Sequence, residues 1–502
     1  MLSVFKIMIR SLAAASLALL VSGAAQAGQV PLSEATQACL ECHAEATPGI
    51  VADWRNSAHA RTTPDTALKK PELERRFSAK KVRKGFGGVA VGCAECHTTH
   101  PREHRDTVEH DEFRIYPVVS PADCAVCHPA EAVQYDKNKM SHAYPNLTRN
   151  PLYMDLADRI NGVIKVEKSG TTHSRPDSRT EADSCLFCHG TKVEVKGKVT
   201  RETDWGEFTF PVLSGWPNQG VGRINPDGTA GSCSACHTRH RFSLETARKP
   251  ATCAECHKGP DVPAYDVYKV SKHGGIYNSM SKHWNFTAVP WTLGKDFSAP
   301  TCAVCHISLV VDPEGGVISK RTHRMNDRLD TRLMGLIYSH AQPKHPYTAK
   351  IRQESGLALA TDLEGNPASE FLIGKEEQAR NRAVMQQTCL SCHSRSWVEG
   401  HFKRLDNTIR TTDEMTRAAT RLVQTAWREG LAQGPDQKGS PFDEVIELKW
   451  LDQWLFYANS TRFASAMMGP DYGVFERGRW KMYRNIKEME EWIDLHRALG
   501  KK

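Results

Sequence analysis

Sixteen cysteines fall into eight pairs of one form, two cysteines separated by two residues with a histidine directly after the second. In chain order they are Cys39, Cys42 and His43; Cys93, Cys96 and His97; Cys124, Cys127 and His128; and Cys185, Cys188 and His189. Then come Cys233, Cys236 and His237; Cys253, Cys256 and His257; Cys302, Cys305 and His306; and Cys389, Cys392 and His393. Two thiols at this spacing can add to the two vinyl groups of one haem while the next imidazole reaches the iron, which is c-type haem attachment. A structural zinc site would need two such pairs per metal and has no use for a histidine after each. A disulfide or thioredoxin-like reading leaves every histidine unexplained. No cysteine is left over, so the spacing predicts eight covalent haem c groups.

A bis-histidine haem needs one further imidazole besides that of its motif. Fourteen other histidines are available, more than are required, and sequence alone pairs none of them with an iron. His100 and His240 lie three residues past a motif histidine, close enough to serve a neighbouring haem when two are stacked. His59, His142, His273, His283 and His323 lie near small or cationic residues that suit a loop touching a porphyrin. These seven are the candidate distal ligands. His104, His110, His173, His340 and His345 are not ranked, and His401 and His496 fall in a helical tail, where a structural role is expected.

The chain resembles the octahaem hydroxylamine oxidoreductases. The resemblance rests on the eight motifs, on CSACHTRHRFSLETARKPATCAECHKGPD (233–261), YKVSKHG (268–274), PWTLGKDFSAPTCAVCH (290–306) and MMGPDY (467–472), and runs through most of the chain. It implies seven six-coordinate electron-carrying haems and a five-coordinate catalytic fourth, here on Cys185 and Cys188 with His189 as proximal ligand. It also implies that Tyr472 is covalently joined to that porphyrin from a neighbouring subunit of a trimer, and that Asp261 and Tyr338 serve the substrate pocket as acid–base groups. Where the family commonly places a histidine after this aspartate, the chain has Val262. The implied reaction is oxidation of hydroxylamine to nitric oxide or nitrite, with electrons passed to a c-type cytochrome. The alternatives are reduction of nitrite or hydroxylamine to ammonium on the same scaffold, and electron transfer alone. Octahaem reductases with a lysine in one motif or a stretched cysteine spacing are not matched.

The elements that must position these groups are mainly helical. Lys6 and Arg10 precede an apolar run that ends in AQA before Gly28, the grammar of a secretory signal peptide over residues 1–27 and hence of a soluble periplasmic protein. Residues 28–394 read as a multihaem cytochrome c domain of short helices and long Pro/Gly-bearing loops with little β-structure. A hairpin is expected at 191–203, where valines alternate around Gly197. Residues 395–502 lack cysteine and read as a C-terminal helical, trimerising domain, with helices over 411–434, 442–469 and 474–499. The motifs start 20 to 87 residues apart, too irregularly for a solenoid. The formal charge of +8 would suit an acidic partner, but loss of the signal's two cations and about −1 from each ferric haem with its propionates leave the holoprotein slightly acidic. Nucleic-acid binding therefore has no support.

Overall fold

The computed structural model describes residues 30–500 apart from positions 355 and 438, and the expected signal segment lies outside the described residues. No helix among the described residues is long and apolar enough to cross a membrane.

Each motif folds as a helical turn because positions i, i+3 and i+4 share one helix face, which puts two thiols and an imidazole side by side. The first lies inside α1 (Glu34–Ala46), where Ser33 Oγ caps the amide of Thr36 at 3.1 Å. The fourth is α2 (Cys185–His189), ended by Gly190 at φ 90°. A Cβ at Gly190 would stand 2.3 Å from the amide nitrogen of Arg223, so both the backbone angle and the close approach require glycine. In the third, fifth, sixth and eighth motifs the histidine amide donates to the carbonyl of its first cysteine at 2.8, 3.0, 2.8 and 3.0 Å.

Mainly helical architecture is what the structure shows, with strands confined to small sheets. β1 (Val108–His110) pairs with β2 (Phe113–Ile115), and β3 (Val163–Glu167) with β4 (Gly170–Ser174). β5 (Glu194–Thr203) pairs with β6 (Gly206–Ser214). The hairpin expected within 191–203 is thus one strand of a longer hairpin turning at Asp204 and Trp205, while Gly197 sits at a bulge. β7 (Trp291–Thr292), β8 (Val310–Val311) and β9 (Val317–Ser319) form a three-stranded sheet. β10 (Thr331–Arg332) and β11 (His340–Ala341) form a short antiparallel pair.

Past α3 (Ala264–Val270), α4 (Lys375–Leu390) runs into the eighth motif, and the 34-residue α5 (Arg395–Arg428) starts almost at once. The helix expected from Thr411 therefore begins at Arg395, capped by Ser394. Thr411 and Thr412, at the expected start, lie mid-helix, and further along Thr416 Oγ1 and Thr420 Oγ1 each donate to the carbonyl four residues back at 3.0 Å. The expected 442–469 helix is divided into α6 (Val445–Leu451), a π-helical segment (Asp452–Ala458) and α7 (Asn459–Met467). α8 (Pro470–Val474) and α9 (Arg479–Gly500) replace the expected 474–499 helix. Val423, Trp427, Ile446, Trp450, Trp454 and Met489 form the largest core, which also takes in Ile337, Tyr338 and Leu359, so the tail is packed onto the segment around residues 336–363.

Candidate functional site

Five motif histidines face a second histidine across a nearly constant gap. The ring centres of His43 and His110 are 6.2 Å apart, His128 and His59 6.3 Å, His97 and His240 6.5 Å, His237 and His323 6.4 Å, and His393 and His273 6.0 Å. With metal–imidazole bonds of about 2 Å and about 1 Å more from nitrogen to ring centre, two axial rings on one iron have centres about 6 Å apart. The chain thus holds five preformed bis-histidine gaps, each beside its pair of thiols, and the residues fit haem c. Burial pushes His59, His237, His240 and His323 down to about 4, so each is neutral and able to offer a lone pair to iron. The ring of His97 is further held by Nδ1 against the carbonyl of Tyr116 at 2.8 Å.

Of the seven ranked candidates, His59, His240, His273 and His323 take such positions. His100, His142 and His283 do not. His100 Nδ1 bonds Asp123 Oδ1 at 2.9 Å, and His142 Nε2 bonds the carbonyl of Asp136 at 2.8 Å. His110, which sequence left unranked, takes the fifth position. It is carried on β1, packed against Phe208 of β6 at 4.6 Å, and no local sequence signal marks it. His104 lies buried between Asp106 and Asp123; burial alone would lower its pKa, but hydrogen bonds to both carboxylates raise it to about 9, which makes it a structural cation. His401 stacks on Trp397, itself stacked on His393, and His496 Nδ1 bonds the carbonyl of Trp492 at 2.8 Å, so both tail histidines are engaged within the fold.

Cysteines of different motifs also meet. The thiol of Cys39 lies against Cys93, Cys124 against Cys233, Cys188 against Cys256 and Cys253 against Cys302. Cys96 is within electrostatic reach of Cys127, Cys236 of Cys253, and Cys305 of Cys389. The attachment points therefore form a continuous path through motifs one, two, three, five, six, seven and eight. The fourth motif joins this path at the sixth.

His189 has no histidine ring facing it at axial spacing among the described residues, and nor do His257 and His306. Its Nδ1 bonds the carbonyl of Ala143 at 3.2 Å. Burial lowers its pKa, partly offset by that bond and by the carboxylate of Asp261, with Arg332 acting the other way. Asp261 is also in electrostatic reach of Cys188 and His257. Its backbone is fixed by Asn459 Nδ2, which donates to the Asp261 carbonyl at 3.1 Å. Val262 follows it with 9% exposure, so no proton carrier stands at that position. Asp261 and Arg332 thus act electrostatically on His189, and Asp261 acts on His257 as well.

The two tyrosines stand elsewhere. Tyr338 is 2% exposed within the tail core, with its hydroxyl 2.8 Å from the Leu363 carbonyl and 3.2 Å from Thr420 Oγ1. That hydroxyl is committed to the protein interior. This corrects its expected use as a pocket donor, because the tail core captures the side chain. Tyr472, on α8, is half-buried, and the charges acting on it come from Asp266, Glu476, Lys269 and Arg477 rather than from groups of its own fourth motif. Met468, Val474 and Phe475 beside it are exposed.

Residues 226–326 match the family described as seven times multi-haem cytochrome CxxCH, and residues 38–120 match cytochrome c554 and c-prime. A solved structure described as a hypothetical multiheme protein is 39% identical, with a TM-score of 0.88, over 95% of this chain and 98% of its own. A reducing HAO-like (hydroxylamine oxidoreductase-like) protein complex of Kuenenia stuttgartiensis shares the fold, with a TM-score of 0.60 and 21% identity over 93% of this chain and 86% of the other. A probable nitrite reductase-hydroxylamine oxidoreductase fusion protein of the same organism is 26% identical over 80% of this chain. The chain spans 39% of the length of that curated relative.

Proposed function

Because the chain belongs to the hydroxylamine oxidoreductase-like multihaem c-type cytochromes, we propose that it is an exported, periplasmic oxidoreductase of small nitrogen compounds. It carries eight haem c groups and does its chemistry at the one held by Cys185, Cys188 and His189. The observation that carries this reading is the setting of His189, which lies within electrostatic reach of Asp261 and Arg332 and, among the described residues, faces no second histidine ring of the kind found at five other motifs. A haem held there would supply a redox-active iron for the substrate nitrogen.

Oxidation of hydroxylamine to nitric oxide releases three electrons and three protons. Asp261, anchored by Asn459, accepts protons from the substrate's N–H and O–H groups. His189 is held in one orientation by the Ala143 carbonyl. The five histidine pairs would hold haem irons, which would supply an electron path along the touching motifs towards a c-type cytochrome. Tyr472 belongs to the site of a neighbouring subunit in a homotrimer, where its ring joins the porphyrin; its exposed apolar neighbours suit a subunit contact.

A second reading, reduction of nitrite or hydroxylamine to ammonium, is favoured by the cations Lys139 and Arg332 near the same motif. The test is hydroxylamine oxidation by holoprotein with ferric cytochrome c as acceptor, wild type against Asp261→Asn. General-base catalysis contributes about a hundredfold or more, so turnover should fall by that order with the spin states unchanged. Unaltered turnover would remove Asp261 from the chemistry.

A further inference from the structure

The core that joins the tail to residues 336–363 is not completely filled. A cavity of about 50 Å³ lies between Leu156, Leu336, Leu359, Trp427, Phe442 and Trp454. On the scale in which one buried water needs about 10–15 Å³, that is room for a small molecule and far too little for a porphyrin. None of the residues lining it is a motif cysteine or a histidine.

Its walls are aliphatic and aromatic. Of the three indoles among them, Trp427 donates to Glu447 Oε1 at 2.7 Å and Trp450 to Thr420 Oγ1 at 2.9 Å, while Trp454 has no acceptor among the described residues. With the hydroxyl of Tyr153, which also lines the space, a water would find at most two side-chain partners. A buried water typically makes about three hydrogen bonds. A charged or strongly polar guest such as nitrite or hydroxylamine would give up its hydration without replacement. A small uncharged molecule loses little on leaving water and gains dispersion contacts with walls that otherwise lack neighbouring atoms.

One helix, Pro151–Asn161, ties this space to the fourth motif. Its Leu152, Tyr153 and Leu156 form one wall, and at its end Asn161 Nδ2 lies 3.4 Å from Cys185 Sγ. Tyr153 is within electrostatic reach of Arg332, as is His189. On the tail side, Ser440 Oγ donates to Asp155 Oδ2 at 2.6 Å and Arg159 pairs with Asp443 at 3.1 Å. The wall is therefore fixed both to the fourth motif and to the tail.

We propose that this cavity is a binding site for small uncharged gas molecules and takes nitric oxide released at the fourth motif. The assignment of nitric oxide rests on the fourth motif being the reactive one. Xenon shares the apolar character, is heavy enough to be located, and is the probe.

Crystals of oxidised holoprotein under xenon pressure should show a xenon atom between Leu156, Leu359 and Trp454, absent in Leu156→Trp, whose larger side chain fills the space. Leu363→Phe is a milder filling of the same cavity, and both variants are checked for unchanged haem bands. In solution, nitric oxide photolysed from reduced holoprotein should rebind in part from within the protein. That prompt phase should change under xenon pressure and diminish in both variants. No xenon in the wild-type cavity overturns the site. Xenon in place, with a prompt phase indifferent to xenon and to both variants, overturns the assignment of nitric oxide. If no haem of the wild type binds nitric oxide, the reactive fourth motif falls, and the crystal result alone decides the gas site.

Discussion

At the scale of single residues, the motif histidines are equivalent in sequence and distinct in space. His43 has His110 across from it at 6.2 Å, whereas His189 feels the charges of Asp261 and Arg332. If the first gap holds iron, His110→Ala removes one axial ligand. One low-spin haem should then become high-spin and able to bind carbon monoxide when reduced, with the haem content unchanged; an unaltered spectrum would place His110 outside the coordination sphere. The motif histidines could be read directly because attachment chemistry fixes their spacing. Their partners could not, because each lies on a different element far along the chain: His110 on a two-stranded hairpin, His323 on a loop, His273 on a helix. Imidazole is also used structurally, as at His104 and His100, so residue type alone does not separate ligand from network.

At the scale of elements, the tail shows where periodicity succeeds and where it stops. Apolar spacing marks the helical character of 411–499 but not where the helix starts, because Thr411 and Thr412 lie inside it and the hydroxyls of Thr416 and Thr420 turn back to helix carbonyls within a buried face. The hairpin was similarly displaced because Gly197 serves a bulge and not the turn. Glu447 gives this region a pH signature. Its side chain is buried and accepts from Trp427 Nε1 at 2.7 Å and from the amides of Asp443 and Glu444 at 3.1 and 3.0 Å. Burial raises its pKa to about 7 despite these donors. A carboxyl whose folded pKa lies above its unfolded value stabilises fully below the unfolded pKa, and that stability is lost as pH rises through the folded one. Thermal unfolding should show wild type losing up to about 3 kcal/mol relative to Glu447→Gln between about pH 4.5 and 7. A constant difference across that window would mean that Glu447 ionises normally.

At the scale of the whole molecule, sixteen thioethers would make the haems part of the chain. The denatured mature protein should exceed its polypeptide mass by eight haems, and seven or fewer would show a motif left empty. Tyr472 decides whether subunits are joined as well. It is half-buried on α8, beside exposed Met468, Val474 and Phe475. A ring-to-porphyrin bond between subunits should make the assembly persist in denaturing electrophoresis, and Tyr472→Phe should release monomers while retaining or raising nitrite or hydroxylamine reduction. Wild type that already runs as a monomer would favour the reductive direction. The assembly and the direction were least legible in the sequence, because both depend on surfaces and charges that converge only in the folded chain, Lys139 donating to Gln342 from far along the chain being the plainest case.

The central claim is that one motif, the fourth, holds an iron open to substrate while the others carry electrons. Electron paramagnetic resonance of the oxidised holoprotein tests it most directly, since axial coordination sets the spin state of each iron. The account predicts one high-spin ferric signal, altered by hydroxylamine or nitrite, among otherwise low-spin haems. A spectrum in which every iron is low-spin and indifferent to both ligands would contradict it.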